Sequence, residues 1–482
     1  MKIFSSLTNQ PETITDKNIS IYVCGVTPYT ECHLGHAMSA MIYDSLIRFL
    51  RWRGNKVTYV SNYTDIDDKI IDAAKAANVD PIQLAKNNIE EWEKQQEVLG
   101  LEKPNIRPKV TEEIETIIIA IKKIIENGYG YVTEDGGVYY SVRKNKQYGE
   151  LSHRKIDELQ EEELENDNLI SQKTESLDFA LWKPKKTGEP GWSSPWSEGR
   201  PGWHIECSAM SEKYLGKNFS IHGGGTDLIF PHHENEIAQA FASGNKEFTK
   251  IWMHNGMLLV EGKKMSKSLG NYISVQDALN KWDPNALRFF VLSAGYRQPT
   301  NFSDEAINNA TNATNKLRQI ISENQNILAD TERKKSKNYR SQFTVDFISV
   351  IEDDFNTPKA LAIIFEIIKK INTVSDSIEK ANLIYELSDI LLCLGFDLLN
   401  NEDTKELTLK QNKELQLIAD EFGVTNLSDA NEILNRLVQL RNEERKQKNF
   451  DVSDRIRDSL EKIGIILKDD LEKTTWSIER KI

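Results

Sequence analysis

A strand-helix-strand pattern that occurs twice, with its copies about 200 residues apart, limits what this chain can fold into more than any other feature. The first copy opens with the β-rich run Ile19-Ser20-Ile21-Tyr22-Val23, broken by Gly25. Met38, Ile42, Leu46, Phe49 and Leu50 then recur at helical spacing, and Val57-Thr58-Tyr59-Val60 resumes β character. The second runs from Phe219-Ser220-Ile221 into His222-Gly223-Gly224-Gly225, then a helix opened by Pro231 in its first turn, then Ile251-Trp252-Met253. Two strands joined through a helix lie parallel, so the pattern implies an α/β fold with a Rossmann-type parallel sheet. Between the copies, from roughly Gly130 to Pro201, short β-like runs such as Val138-Tyr139-Tyr140-Ser141, an acidic stretch and Gly/Pro/Trp/Ser-rich loops take over. This reads as an insertion that splits the sheet. A helix is expected after Thr64-Asp65, and another over Glu112–Glu126 with Ile114, Ile117, Ile118, Ile121 and Ile125 facing a core and Asn127-Gly128 ending it. Beyond Asp304 long helical patterns dominate, as in Leu361, Ile364, Phe365, Ile367, Ile368 and Ile371. The expected divisions are 1–110 and 202–250 for the halves of the sheet domain, 111–201 for the insertion, 251–303 for a loop region, 304–400 for a helical bundle and 401–482 for a small, mainly helical module.

Composition narrows the function. A chain of 482 residues has room for several cores. Its net charge of −13 argues against indiscriminate nucleic-acid binding, which draws on many Lys/Arg–phosphate contacts, but leaves room for a specific RNA partner. Cations gather at Arg441, Arg445, Lys446 and Lys448, and acids at Glu161, Glu162, Glu163 and Glu165. No stretch approaches the ~18 apolar residues of a membrane span, and the start lacks the apolar run of a secretory signal. Four scattered cysteines form no disulfide framework. A cytoplasmic protein with reduced thiols and no membrane partner is expected.

Two motifs suit phosphate. His33-Leu34-Gly35-His36 falls where the first strand hands over to its helix, so backbone N–H groups, the helix dipole and two imidazoles can meet phosphate oxygens while Gly35 admits the ligand closely. Lys264-Met265-Ser266-Lys267-Ser268, between Gly262 and Gly270, would bring Lys264 and Lys267 to a leaving pyrophosphate. Either motif alone could be a helix cap or a solvated loop; together and in this order they point to adenylate chemistry. Gly224 can admit a nucleotide against bare backbone while Asp227 accepts from ribose hydroxyls. In Pro231-His232-His233-Glu234-Asn235-Glu236, His232 and Glu236 are four apart on one helical face, the spacing that lets two side chains hold one metal. Cys24 and Cys207 could complete a tetrahedron, although free cysteines more often serve as small buried apolar residues.

Taken in order, Tyr22-Val23-Cys24-Gly25, Cys32 through His36, Thr64-Asp65-Ile66-Asp67-Asp68-Lys69, Gly202 through Met210, His222 through Gly225, Phe230 through Glu236 and Lys264 through Ser268 closely resemble the cysteinyl-tRNA synthetase family of bacterial class I aminoacyl-tRNA synthetases, nearly end to end. The resemblance implies zinc on Cys24, Cys207, His232 and Glu236, one ion per chain, selecting the thiolate of L-cysteine. It places Thr64, Trp203 and His222 around the amino acid. His33 and His36 would act on the reacting phosphates of ATP, accompanied by Mg²⁺, with Lys264 and Lys267 on the departing pyrophosphate and His33, Gly35, His36, Gly224, Asp227 and Lys267 holding the nucleotide. Cysteinyl-adenylate would form and pass its cysteine to the terminal adenosine of tRNA(Cys). The 251–303 region becomes the signature loop and a stem contact, the bundle a tRNA-binding part, and the final module an anticodon-binding one carrying Arg441, Arg445, Lys446, Lys448, Arg455 and Arg457; a monomer is expected. Two rivals share the motifs: a ligase passing cysteine to a small amine, which lacks so long a C-terminal extension, and a silent relative, which would have lost some of these side chains.

Overall fold

A computed structural model describes residues 1–158, 173–266, 269–329, 340–398, 409–424, 427, 429–469 and 474–478. The chain forms two compact units, Met1–Asp397 and Leu398–Ile482.

In the first unit, β1 (Lys2–Ser5) and β2 (Gln10–Thr13) pair as a hairpin ahead of β3 (Asn18–Val23), α1 (Leu34–Trp52) and β4 (Lys56–Ser61). Helices α2 (Asp68–Ala77) and α3 (Pro81–Val98) begin at Asp67 and Asp80, whose carboxylates accept from Lys69 N–H and Gln83 N–H. Helix α4 (Ile114–Glu126) buries Ile114, Ile117, Ile121 and Ile124, with Ile118 and Ile125 only partly covered. It starts two residues later than its composition suggests, because Val110–Glu112 is drawn into a 3-10 turn in which Thr111 donates twice to Asp65.

The insertion is an antiparallel sheet of β5 (Gly130–Val132), β6 (Val138–Tyr140), β7 (Phe179–Pro184), β8 (Trp192–Ser193) and β9 (Glu198–Pro201), in the order β5-β6-β7-β9-β8. The chain then returns through α5 (Trp203–Leu215), β10 (Phe219–Gly225), α6 (Glu234–Ala242) and β11 (Thr249–Asn255). Strands β11-β10-β3-β4 make one fully parallel sheet, with Ile21 opposite Ile221 and Val23 opposite Gly223 at the join between its halves. Tyr22, Val60, Ile117, Ile205 and Trp252 share one core with the insertion's Tyr140, Phe179 and Trp182, so the two sheets do not bury separate interiors.

One expectation fails in detail. Pro231 does not open α6: Phe230 is extended, as a residue before proline prefers, the Phe230–Pro231 peptide is cis, and Ile229–His233 form a π-type turn that delays the helix to Glu234.

Strands β12 (Leu258–Val260), β13 (Lys263–Lys264) and β14 (Thr300–Phe302) form a three-stranded sheet, joined by α7 (Val275–Lys281) and α8 (Pro284–Leu292). The helices α9 (Asp304–Glu323), α10 (Gln325–Ala329), α11 (Gln342–Glu352), α12 (Thr357–Thr373) and α13 (Ser377–Cys393) follow. The second unit holds α14 (Leu409–Glu421), α15 (Ala430–Lys446), α16 (Phe450–Lys462) and a hairpin of β15 (Ile465–Asp469) and β16 (Thr474–Ile478) around Leu415, Leu434, Leu437, Ile456 and Ile465.

Candidate active site

A cavity of about 390 Å³ opens at the carboxyl ends of β3, β4 and β10, beside the start of α1. Brought together along its walls are Cys24, Thr64, Trp203, Cys207 and His232 at one pole and His33, Gly35, His36, Gly224, Asp227 and Lys264 at the other. Parallel sheets place ligands there because every strand delivers its following loop to the same edge. His222 and Glu236 lie behind the wall rather than on it, and Lys267 lies outside the described residues.

At the first pole, Cys24 Sγ stands 3.5 Å from Cys207 Sγ, 3.5 Å from Glu236 Oε1 and 3.7 Å from His232 Nε2, and His232 Nε2 is 3.1 Å from Glu236 Oε1. A tetrahedral zinc with sulfur at about 2.3 Å and nitrogen or oxygen at about 2.0–2.1 Å has donor-to-donor edges of about 3.3–3.8 Å, close to the four separations given, so the donor set suits the ion. Burial opposes charge on the Cys207 thiol, but the hydrogen bond from Cys24 and the contact with His232 draw it down to about 6. Burial likewise opposes Glu236, yet His222 and His232 bring its carboxyl to about 2. His232, resisted by burial, is held up at about 10 by Cys207 and Glu236. Cys207 and Glu236 are thus drawn toward their charged forms, the forms in which thiol and carboxyl bind a divalent cation.

Four further histidines stand close by. His233 Nε2 is 3.3 Å from Cys24 Sγ, near enough to compete with Cys207 for a place in the donor set. Its Nδ1 bonds His254 Nε2 at 2.7 Å, and His254 Nδ1 bonds Ser6 at 2.8 Å. His204 Nδ1 meets His232 Nδ1 at 2.9 Å, and His222 Nε2 holds Glu236 Oε2 at 2.9 Å. His222 therefore orients a carboxylate rather than facing the cavity. Sequence reasoning passed over His204, His233 and His254; the available signal was that five of the chain's eight histidines lie in or beside the second βαβ pattern.

At the other pole His33 is the N-cap of α1. The rings of His33 and His36 stack at 3.7 Å, and the His33 N–H donates to His36 Nδ1 at 3.2 Å. Burial, then the neighbouring His33, push His36 well below the ordinary imidazole range. It is a neutral ring whose Nδ1 is already an acceptor, so its remaining N–H is a donor at Nε2. A methyl group on Gly224 would lie 2.7 Å from the His233 ring. Lys264 sits in β13 on an exposed rim, where Asn271 caps the loop by accepting from Ser266 N–H and donating to the Lys264 carbonyl. Lys69, not singled out from the sequence, reaches over the rings of Tyr29 and Trp203 at 5.9 and 5.4 Å.

Residues 10–312 match the family model for the tRNA synthetases class I (C) catalytic domain, and residues 346–399 match the DALR domain. Cysteine–tRNA ligase of Thermodesulfovibrio yellowstonii is 42% identical, over 99% of this chain and 100% of that one. The chain belongs to the cysteine–tRNA ligase family. Cysteine–tRNA ligases of Coxiella burnetii (42% identical, 99% of this chain and 100% of that one) and Geobacillus thermodenitrificans (41%, 99% and 98%) are similar over the same length. The fold likeness reaches further: Mycobacterium tuberculosis methionyl-tRNA synthetase in complex with methionyl-adenylate superposes with a TM-score of 0.55 at 16% identity, covering 88% of this chain and 94% of that one. The match to the catalytic domain encloses every residue named at the cavity's two poles.

Proposed function

We propose that the protein activates L-cysteine with ATP, releasing pyrophosphate, and transfers the cysteinyl group to the terminal adenosine of tRNA(Cys). The observation that carries this reading is a single cavity with a Cys/Cys/His/Glu donor set at one pole and a paired-histidine helix N-terminus at the other. Zinc held by Cys24, Cys207, His232 and Glu236 would supply a soft Lewis acid that favours a thiol over a hydroxyl, a discrimination a size-based pocket cannot make against serine. His233 stays in this reading a hydrogen-bonding neighbour of Cys24, with Cys207 supplying the second sulfur of the donor set.

Trp203 walls the amino acid, Thr64 meets it with a hydroxyl, and His222 fixes Glu236. The substrate carboxylate lies toward the α-phosphate of ATP, accompanied by Mg²⁺. His36 Nε2–H and His33 donate to the phosphate oxygens as charge grows there, Gly35 and Gly224 let backbone approach, and Asp227 holds the nucleotide. Lys264 and Lys267 stabilise the departing pyrophosphate. The bundle after Asp304 and the second unit bind tRNA, the latter as the anticodon module, in a cytoplasmic monomer.

Aminoacylation of total tRNA by the purified, zinc-quantified protein, with cysteine and serine in parallel, tests the whole reading. Cysteine-only charging with about one zinc per chain is expected; cysteine-dependent ATP consumption without charging would transfer the reading to a small-molecule ligase.

A further inference from the structure

Glu206 is a buried acid that none of these roles uses. It lies on α5 between Trp203 and Cys207 and is 1% exposed. The charges around it are acidic, from Cys207, Asp67 and Asp65, and no cation pairs with it among the described residues. An apolar side chain would serve the packing of α5 better, because a carboxyl buried without a cation is destabilising. What holds it is Thr64, whose Oγ1 donates to Glu206 Oε2 at 2.9 Å. Thr64 is itself 3% exposed and borders the cavity. Its oxygen also receives Asn62 Nδ2 at 3.4 Å, and Asn62 Oδ1 is fixed in turn by Gly25 N–H at 2.9 Å. A hydroxyl has one hydrogen and two lone pairs. Glu206 takes the hydrogen and Asn62 one lone pair, so Thr64 can offer the cavity only an acceptor.

We propose that Glu206 is a positioning residue which, by accepting the Thr64 hydrogen, turns that hydroxyl into an acceptor for the α-ammonium of the amino-acid substrate. The inference rests on the cysteine-activation reading. A carboxyl accepts through its carbonyl oxygen in either protonation state, and the amide of glutamine keeps that oxygen, whereas leucine fills the same volume without it. A donor at Thr64 would instead attract the substrate carboxylate and turn the amino acid away from ATP.

The test is cysteine-dependent ATP–pyrophosphate exchange by the full-length protein and its Glu206→Leu, Glu206→Gln and Thr64→Val variants. Each is also inhibited with 3-mercaptopropionate, which keeps the thiol and carboxylate of cysteine but lacks the ammonium. Glu206→Leu should raise KM for cysteine about tenfold or more, the loss expected of a hydrogen bond to a charged group, with little change in KM for ATP. Glu206→Gln should restore most of the loss, and inhibition by 3-mercaptopropionate should be alike in all. Equal weakening of cysteine and the desamino thiol, or a glutamine variant as impaired as the leucine one, overturns the proposal. Should Glu206→Leu not fold, Thr64→Val must show the same split or the proposal fails. Absence of cysteine-dependent exchange in the unsubstituted protein would instead sink the activity itself.

Discussion

Gly25 follows the cavity cysteine Cys24, and a Cβ placed on it would stand 1.6 Å from the Asn62 carbonyl oxygen. Neither backbone can yield without moving β3 against β4, so Gly25→Ala should destabilise the first unit by about 3 kcal/mol, the upper range of overpacking, and abolish exchange; denaturation and exchange assays check both. Cys207→Ser should weaken cysteine binding much more than ATP binding and lower the bound zinc, read by KM values and metal analysis; equal losses for both substrates would refute the assigned role. The sequence made His232 with Glu236 legible as a pair because their spacing is local, four residues apart. His233 and His254 were not legible as neighbours of the donor set. Their contact with each other and with Ser6 depends on the register of β10 and β11 and on the hairpin before β3, which no local spacing encodes. The bond of His222 to Glu236 was not legible either, because it joins β10 to α6 across 14 residues.

Helix α1 carries the paired histidines at one end and is anchored near its middle by a buried ion pair. Asp44 and Arg288, 4% and 1% exposed, meet at 2.6 Å, and Arg288 also donates to Ser45 and to the carbonyls of Leu99 and Leu394. Removing Asp44 strands the buried Arg288 guanidinium, whereas removing Arg288 leaves Asp44 its contact with Arg48 at 2.9 Å, so Asp44→Leu should cost about 3–5 kcal/mol, Arg288→Met less, and the double variant should recover part of the larger loss; thermal melts of the three variants decide. A second clamp joins α2 to the insertion: Asp68 pairs with Lys183 at 2.8 Å and with Arg200. Burial alone would raise the Asp68 carboxyl, but Lys183 and Arg200 outweigh it and hold the carboxyl below its ordinary range. A depressed folded value stabilises above the unfolded value of about 4 and is lost as pH falls through and below it. The Tm difference between the protein and Asp68→Asn should therefore be full near neutrality and shrink below about pH 4. The parallel α/β architecture was legible because short β-rich runs alternate with helical spacing, and strands buried on both faces read as near-continuous apolar runs. The start of α6 was not, since a proline favours a helix's first turn in general but here follows an extended phenylalanine in a turn of its own.

The second unit has its own apolar core, drawn from α14, α15, α16 and the terminal hairpin. Truncation after residue 397 should therefore leave exchange near its full rate and weaken tRNA charging, and comparison of the two assays on the truncated protein checks the separation; unchanged charging would refute a role for the unit in tRNA binding. Composition made the helical character of this region legible, but gave no sign of the β15–β16 hairpin, whose strands are five residues each. In the first unit, Val23 and Gly223 are neighbours at the centre of the parallel sheet. During synthesis, β3 must wait for some 200 further residues to leave the ribosome before its second partner exists, and until then it presents a bare apolar border. The first half of this protein is thus an adhesive nascent chain: residues 1–201 made alone should precipitate, and residues 202–482 supplied alongside should rescue them into solution.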